Sequence, residues 1–361
     1  MPSEMYPLSF PQQAIFLDAQ LHGRISKVNM GGGIFIRGPL DPGLFRQAVE
    51  YAFRQHDCQR MRLHVAGGEA RQEFAEAAEC SFELQDYSGR LEPFPSAVRW
   101  VLEDIVRPME LDEFPLANDI LFRLSDGSHL WYPKFHHIVN DAYGHAVVTT
   151  TMAAAYDSLL ARGRLPEGER HSYVDFILDD LAYAGSARFE EDAAFWRRKF
   201  TAMPDPLPFT TRKGGLAQDR LRTEHCTLGL NRFLYNAVLK LCDEAGVTLF
   251  PFLLALLAAY LYRVTGRDEL VIGTPIHNRR TRAFRSTAGM FMNMIPVRVS
   301  VAPETTLLGL TRQIAAELRS CFRHQRFPFG EVMRHCRTLE GFWPTVHAGT
   351  GVHAQFLYGD L

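Results

Sequence analysis

The chain has no excess of charge of either sign, because 39 lysines and arginines stand against 41 aspartates and glutamates in 361 residues. A nucleic-acid-binding surface needs a basic excess to displace counterions from phosphates, so we expect no nucleic-acid partner. Residues 1–13 are polar and interrupted by prolines, and they lack the apolar segment of a signal peptide. The most apolar stretch, residues 249–261, is shorter than the roughly 20 residues that span a bilayer. We therefore expect a buried helix there and no membrane partner.

Cysteine is scarce, and its spacing excludes the common metal and redox motifs. No two cysteines stand at CxxC spacing, and none groups with histidines at zinc-ligand spacing. In a chain of this length, scattered cysteines predict reduced core thiols, a cytoplasmic protein and no metal site. The six are Cys58, Cys80, Cys226, Cys242, Cys321 and Cys336.

Helix-like and strand-like patterns are present in both halves of the chain, which favours α/β layers over a helix bundle or a barrel. Hydrophobic spacing predicts helices at residues 42–54, 97–106, 144–162, 189–200, 231–245, 249–265 and 306–325. Apolar runs bounded by turn residues predict strands at 30–36, 63–65, 80–85, 119–124, 129–136, 270–273, 295–301 and 352–357. We divide the chain into an N-terminal lobe of residues 1–180 and a C-terminal lobe of residues 181–361, which contains a proline-rich connection at 204–208.

Two adjacent histidines end the predicted strand at 129–136. Asp141 follows four residues after the second histidine, and Gly144 precedes a predicted helix. Consecutive side chains at a strand end point to opposite faces, so only one of His136 and His137 can face open space. Imidazole exchanges protons near neutral pH, which makes that histidine a candidate acid or base. Taken alone, such a histidine pair is more often structural than catalytic.

The pattern His136-His137-x-x-x-Asp141 resembles the HHxxxD signature of the chloramphenicol acetyltransferase-like superfamily, whose condensation-domain form is HHxxxDG. Six further segments resemble motifs of the same family and occur in the same order. They are residues 8–13 (LSxAQ), 56–63 (RHExLRTRF), 173–176 (YxDY), 272–275 (IGTP), 289–296 (GxFxNxLP) and 324–329 (HQxxPF). On these seven motifs the chain is identified as a condensation domain of nonribosomal peptide synthetases.

The resemblance implies an α/β fold of two chloramphenicol acetyltransferase-like sandwich lobes in a V, with an active-site tunnel between them. Family domains continue beyond the position of residue 361, so the C-terminal lobe is expected to be truncated. Both histidines are present, which disfavours heterocyclisation domains, where aspartates replace them, and the recruiting domains that lose the second one.

The resemblance also implies roles for the residues of the central motif. His137 would be the catalytic histidine, which positions or deprotonates the attacking amine, and His136 would be a packed core residue. Asp141 would pair with Arg60 and support the active-site loop.

Three positions near the motif carry further expectations. Ala142 replaces the usual glycine, and it either strains the backbone, if φ is positive there, or narrows the site by one methyl group. Gly144 would restore flexibility one turn later. Tyr143 and Asn293 are expected to line the substrate tunnel.

The function implied is amide formation between a donor acyl group and the amine of an acceptor, each bound to a peptidyl or aryl carrier protein. Phosphopantetheine arms would come from these carriers, with no cofactor bound by the domain and an adenylation domain downstream. Residues 59–62, 131–137 and 323–326 resemble N-terminal condensation domains of catecholate siderophore synthetases, which implies an aryl-acid donor. The alternatives are a freestanding acyltransferase acting on a small amine or alcohol and a catalytically inactive docking module.

Overall fold

The structure is a computed structural model that describes residues 4–22, 28–76, 80–168, 170–201 and 229–337. They fall into two compact units, one within Met1–Phe189 and His277–Asn293, the other within Glu190–Ile276 and Met294–Leu361. The segment His277–Asn293 thus belongs to the first unit, whereas the sequence division assigned it to the second half. The proline-rich stretch at 204–208 and the strand predicted at 352–357 lie outside the described residues.

The first unit is a mixed α/β unit with two sheets. Its elements are β1 (Tyr6–Pro7), α1 (Phe10–His22), β2 (Asn29–Gly31), β3 (Ile34–Ile36), α2 (Pro42–Gln55), β4 (Met61–Ala66), β5 (Glu69–Phe74), β6 (Phe82–Asp86), α3 (Pro93–Ile105), β7 (Ala117–Arg123), β8 (His129–His136), α4 (Ala142–Arg162), α5 (Val174–Ala184) and α9 (Arg282–Arg285).

The second unit is smaller in its described part. It contains most of α6 (Ala187–Lys199), then α7 (Arg232–Glu244), α8 (Leu249–Thr265), β9 (Glu269–Ile276), β10 (Asn293–Ser300), α10 (Leu307–Phe322) and α11 (Phe329–Arg337). Strands β9 and β10 pair, and α8 packs against α10. Among the described residues no single helix is long and apolar enough to cross a membrane, although the bent pair α7 and α8 passes that test together.

Strand β8 is the centre of the larger sheet, whose order is β2-β8-β7-β6 with β3 also paired to β8. Every residue of β8 is buried, because helices cover both faces of the sheet. Trp131 lies in the core with α2 and α4, and Tyr132 lies in the core with α3. Successive side chains of β8 therefore pack into two different cores, one on each face of the sheet. The strand ends at His136, the first residue of the histidine pair.

Helix α4 begins directly after this strand and its connecting loop. Asp141 is its N-cap, and its carboxylate accepts a hydrogen bond from the backbone N–H of Gly144 at 2.7 Å. Gly163, with φ 64°, ends the helix in the left-handed conformation that glycine adopts without strain. The loop that bears His137 is thus fixed between a buried strand and a capped helix.

Candidate active site

His136 is the last residue of β8, and its side chain is packed in the interior. The residue is 1% exposed, and its Nδ1 accepts a hydrogen bond from the backbone N–H of Ile138 at 3.1 Å. Burial, with a smaller effect of neighbouring His137, lowers the pKa of His136 to about 4. The ring is therefore neutral near pH 7 and belongs to the structural support of the loop.

His137 is half-buried, and its ring orientation is set by the loop that follows it. Its backbone N–H donates to the carbonyl of Val28 at 2.8 Å, and its Nδ1 lies 3.1 Å from the carbonyl oxygen of Asn140. A carbonyl oxygen can only accept, so we assign the proton to Nδ1. In the neutral ring the basic lone pair is then on Nε2.

Asp141 is buried in a dense set of donors. Its carboxylate forms two hydrogen bonds with the guanidinium of Arg279, at 2.8 and 2.9 Å. The backbone N–H groups of Phe291 and Met292 each donate to Oδ2 at 3.0 Å, and that of Gly144 donates to Oδ1. The side chains of Asp141 and Arg279 are 3% and 0% exposed. This pair ties the loop of the histidine motif to the segment His277–Asn293.

The predicted ion pair between Asp141 and Arg60 is therefore wrong. Arg60 instead donates from Nη1 to the carbonyl oxygen of Ala75 at 2.7 Å. Arg279 takes the place beside Asp141, and the residue before it, Asn278, has a left-handed backbone with φ 51°. The guanidinium of Arg279 lies 4.6 and 4.2 Å from the ring centroids of Tyr143 and Phe291, which favours a buried cation.

Ala142 is the first residue of α4, and it is exposed. Among the described residues other than glycine, only Asn278 has a positive φ. The alternative in which Ala142 strains the backbone is therefore excluded. The other alternative, that Ala142 narrows the site by one methyl group, stays a prediction.

Gly144 is required by close packing, and the prediction that it supplies flexibility is wrong. Its φ lies outside the positive range. A Cβ at this position would overlap the side-chain oxygen of Asn140, and it would lie 2.9 Å from the backbone nitrogen of Gly289 and 3.0 Å from Nη2 of Arg279. No real Cβ tolerates such contacts, so only glycine fits at this position of the first helix turn, beside the buried ion pair of Asp141 and Arg279.

The two predicted tunnel residues occupy different environments. Tyr143 is 40% exposed and lies with its ring 5.8 Å from that of His277. Asn293 is buried at the start of β10. The tunnel role of both residues stays a prediction.

Tyr173, from the YxDY-like segment, supports the segment 289–292 from the other side. Its hydroxyl donates to the carbonyl of Met290 at 2.6 Å and lies 2.8 Å from the hydroxyl of Ser9. Gly289 has φ +149°, and a side chain there would overlap the Tyr173 ring. The backbone N–H of Tyr173 donates to the carboxylate of Asp57 at 3.0 Å. Asp57, not Arg60, therefore links the segment 56–63 to Tyr173 and, through Tyr173, to the segment 289–292.

Gln12, in the LSxAQ-like segment 8–13, connects that segment to the loop that bears His137. Its amide nitrogen donates to the carbonyl of Ile138 at 3.2 Å and to the side-chain oxygen of Gln72 at 2.9 Å. Both glutamines are fully buried. Within the described residues no three histidine, cysteine, aspartate or glutamate side chains are placed to hold a metal ion. The site is thus the half-buried imidazole of His137 on a loop fixed by hydrogen bonds.

Comparisons with known proteins identify the family of the chain. Residues 2–341 match the family model described as "Condensation domain". Surfactin synthase subunit 1 of Bacillus subtilis is 26% identical over 340 residues, which cover 93% of this chain and 9% of that protein. Isonitrile lipopeptide synthase of Streptomyces coeruleorubidus is 26% identical over 336 residues, which cover 93% of this chain and 23% of that protein. The chain therefore spans only a small part of these synthetases.

Two solved structures of similar domains extend the match to the fold. The starter condensation domain of rhizomide synthetase, a mutant in complex with C8-CoA, has a TM-score of 0.83 and 28% identity over 93% of this chain and 76% of its own. The first condensation domain of the calcium-dependent antibiotic synthetase, in complex with a substrate analogue, has a TM-score of 0.81 and 27% identity over 92% of this chain and 79% of its own. The predicted chloramphenicol acetyltransferase-like α/β fold is confirmed. The chain belongs to the condensation domains of nonribosomal peptide synthetases.

Proposed function

We propose that this domain forms an amide bond between a donor acyl group and the amine of an acceptor, both held as thioesters on carrier proteins. The observation that carries the proposal is the orientation of His137. Its Nδ1 is held by the Asn140 carbonyl at 3.1 Å, on a loop fixed by the buried pair of Asp141 and Arg279. With the proton assigned to Nδ1, Nε2 carries the basic lone pair that would act on a substrate amine.

The reaction needs one proton transfer and no redox step. The acceptor nitrogen attacks the donor carbonyl carbon, a C–N bond forms, and the C–S bond of the donor thioester breaks. The amine loses a proton, and the leaving thiolate gains one. An α-amine has an ordinary pKa of about 7.7–8.0 and is partly neutral near pH 7. His137 therefore has to position the amine and stabilise the tetrahedral intermediate more than it has to generate the nucleophile.

The partners follow from the same chemistry. Donor and acceptor carrier proteins deliver their substrates on phosphopantetheine arms, an adenylation domain loads the acceptor carrier, and the synthetase works in the cytoplasm. The size of the matched synthetases relative to this chain supports partners in the same assembly. The sequence resemblance to siderophore synthetases supports an aryl donor, whereas the solved starter domain with C8-CoA makes a fatty acyl donor the class to test against it.

The test is amide formation between two loaded carrier proteins, followed by intact-protein mass spectrometry. The acceptor carrier should gain the mass of the donor acyl group only when this domain is present. Donor carriers loaded with aryl and fatty acyl groups, and acceptor carriers loaded with a panel of amino acids, cover the substrate classes. A folded domain that binds both carriers but transfers no acyl group would contradict the proposal and favour a docking module.

A further inference from the structure

Asn140, the residue before Asp141, joins the histidine motif to Gly289. The residue is fully buried, with 0% exposed. Its side-chain oxygen accepts hydrogen bonds from the backbone N–H of Gly289 at 2.9 Å and from that of Asp141 at 3.1 Å. Its backbone carbonyl oxygen lies 3.1 Å from Nδ1 of His137. One residue therefore contacts both the imidazole and the segment 277–293.

The carbonyl that holds the imidazole belongs to the peptide unit between Asn140 and Asp141. This unit is trans, and its atoms lie close to one plane, so its C=O and its N–H point in opposite directions. The N–H of Asp141 has two acceptors, the side-chain oxygen of Asn140 at 3.1 Å and the carbonyl of Gly289 at 3.3 Å. Because these acceptors fix the N–H, they also fix the direction of the carbonyl, toward Nδ1 of His137.

The side-chain amide of Asn140 acts through its oxygen. Both hydrogen-bond partners of this oxygen are backbone N–H donors, from which the side-chain nitrogen could not accept. The nitrogen itself is buried and forms no hydrogen bond within the described part of the chain. A buried donor without a partner costs free energy. The stabilising contacts of this side chain are therefore those of its oxygen.

The side-chain oxygen of Asn140 is held in a closely packed position. A Cβ at Gly144 would overlap it, and the same Cβ would lie 2.9 Å from the backbone nitrogen of Gly289 and 3.0 Å from Nη2 of Arg279. Arg279 also donates from Nη2 to the carbonyl of Gly289 at 3.1 Å. The asparagine thus links the buried ion pair to the peptide unit that holds the imidazole.

We propose, on the basis of the amide-forming function above, that Asn140 is a positioning residue for His137, whose side-chain oxygen fixes the peptide unit that keeps the imidazole proton on Nδ1. The tautomer of a neutral imidazole is set by the hydrogen bonds that its nitrogens make. Rotation of the peptide unit would remove the acceptor from Nδ1 and allow the proton to move to Nε2. An Nε2–H group cannot accept a hydrogen bond from the attacking amine.

The tautomer of His137 can be read directly by NMR. Proton–nitrogen correlation spectra of the domain with isotope-labelled histidine, at a pH where the ring is neutral, distinguish the two forms, and His137→Ala identifies the signals. We expect the Nδ1–H form in the parent. Asn140→Ala removes the side-chain oxygen and should give a mixture with the Nε2–H form, whereas Asn140→Asp keeps an acceptor oxygen and should keep the Nδ1–H form.

The kinetics of amide formation give a second readout. Asn140→Ala should lower kcat at least tenfold and change KM for the acceptor carrier by less than about twofold, because the imidazole is misoriented while the carrier surface is unchanged. Asn140→Asp places a carboxylate near the ring of His137, which favours the protonated imidazole and raises its pKa. Since the neutral ring is the active form, the acid side of the kcat profile should move to higher pH in this variant.

Asn231→Ala is the matched control. The side-chain oxygen of Asn231 also accepts a hydrogen bond from a backbone N–H, that of Leu234 at 2.8 Å, but at the start of α7 in the second unit. This variant should keep the parent's tautomer, kcat and pH profile. Thermal denaturation shows whether each variant is folded.

An Nε2–H form in the parent would overturn the inference without any variant. So would a folded Asn140→Ala that keeps the parent's tautomer, since a lower rate alone would then show a structural role, and so would a shifted tautomer with the parent's kcat. If Asn140→Ala does not fold, an unshifted pH profile of Asn140→Asp overturns the inference. A tautomer shift in Asn140→Ala, combined with no amide formation by the parent, would support the positioning of His137 and contradict the proposed function.

Discussion

Replacement of Arg279 by methionine should destabilise the protein more than any other single arginine change in the segment 277–293. The variant removes two charge-assisted hydrogen bonds to Asp141, at 2.8 and 2.9 Å, and two to the carbonyls of Gly289 and His277, at 3.1 and 3.3 Å. Loss of one partner from a buried ion pair costs about 3–5 kcal/mol. Three backbone N–H donors remain on Asp141, so we expect a loss near the lower end, about 3 kcal/mol.

The neighbouring arginine provides a matched control. Arg280 pairs with Asp179 at 2.5 Å, but both side chains are 33% exposed, and such pairs contribute about 0–1 kcal/mol. Arg60→Met should also cost little, since it removes a bond to one carbonyl group and leaves Asp141 paired. Urea denaturation followed by circular dichroism gives the free energy of unfolding for each variant. A loss for Arg279→Met within 1 kcal/mol of that for Arg280→Met would refute the reasoning, as would a larger loss for Arg60→Met.

Two further predictions concern the loop and its pH dependence. Gly144→Ala should lower the free energy of unfolding by about 1–3 kcal/mol, because the added Cβ overlaps the Asn140 side chain. Ala142→Gly, at the exposed start of the same helix, should change it by less than about 1 kcal/mol. Equal urea midpoints for the two variants would contradict this prediction. Burial lowers the pKa of three histidines from 6.5 to about 4. As the pH falls from 6.5 toward 4, the unfolded chain therefore binds their protons before the folded chain does. The free energy of unfolding should be unaffected by these residues above pH 6.5 and should decline below it. Asp119, whose pKa is raised from 3.8 to about 6, and Asp57, whose pKa burial also raises, oppose this with two protons against three. The urea midpoint should therefore still fall over that range, and a constant or rising midpoint would contradict buried neutral rings. The three histidines are His56, His136 and His145.

The elements with clear local signals were predictable from the sequence. The predicted bounds of β8 and α8 coincide with those in the structure, because turn residues bound the strand and Gly266, at φ 69°, ends the helix. Helices with buried polar residues were missed. In α1 the buried face includes Gln12, whose amide bonds to Gln72, and such a polar position hides the hydrophobic period on which the prediction depends.

Part of the candidate site was predictable from the sequence and part was not. The histidine motif is contiguous in sequence, so its loop could be found without a structure. The partner of Asp141 could not, because Arg279 lies 138 residues away in a segment with three other arginines, Arg280, Arg282 and Arg285. Only the tertiary packing, which buries Arg279 against Asp141 and the Gly289 carbonyl, decides which of the four arginines is buried.

The most direct test of the account is the single-turnover rate of amide formation by the parent and by His137→Ala, with carriers loaded in advance. The account predicts at least a hundredfold loss, about 2.7 kcal/mol of barrier. His64→Ala, which changes a surface histidine on β4 that is 52% exposed, should keep the parent rate. Equal rates for the parent and a folded His137→Ala would contradict the assignment of His137 as the residue that acts on the amine.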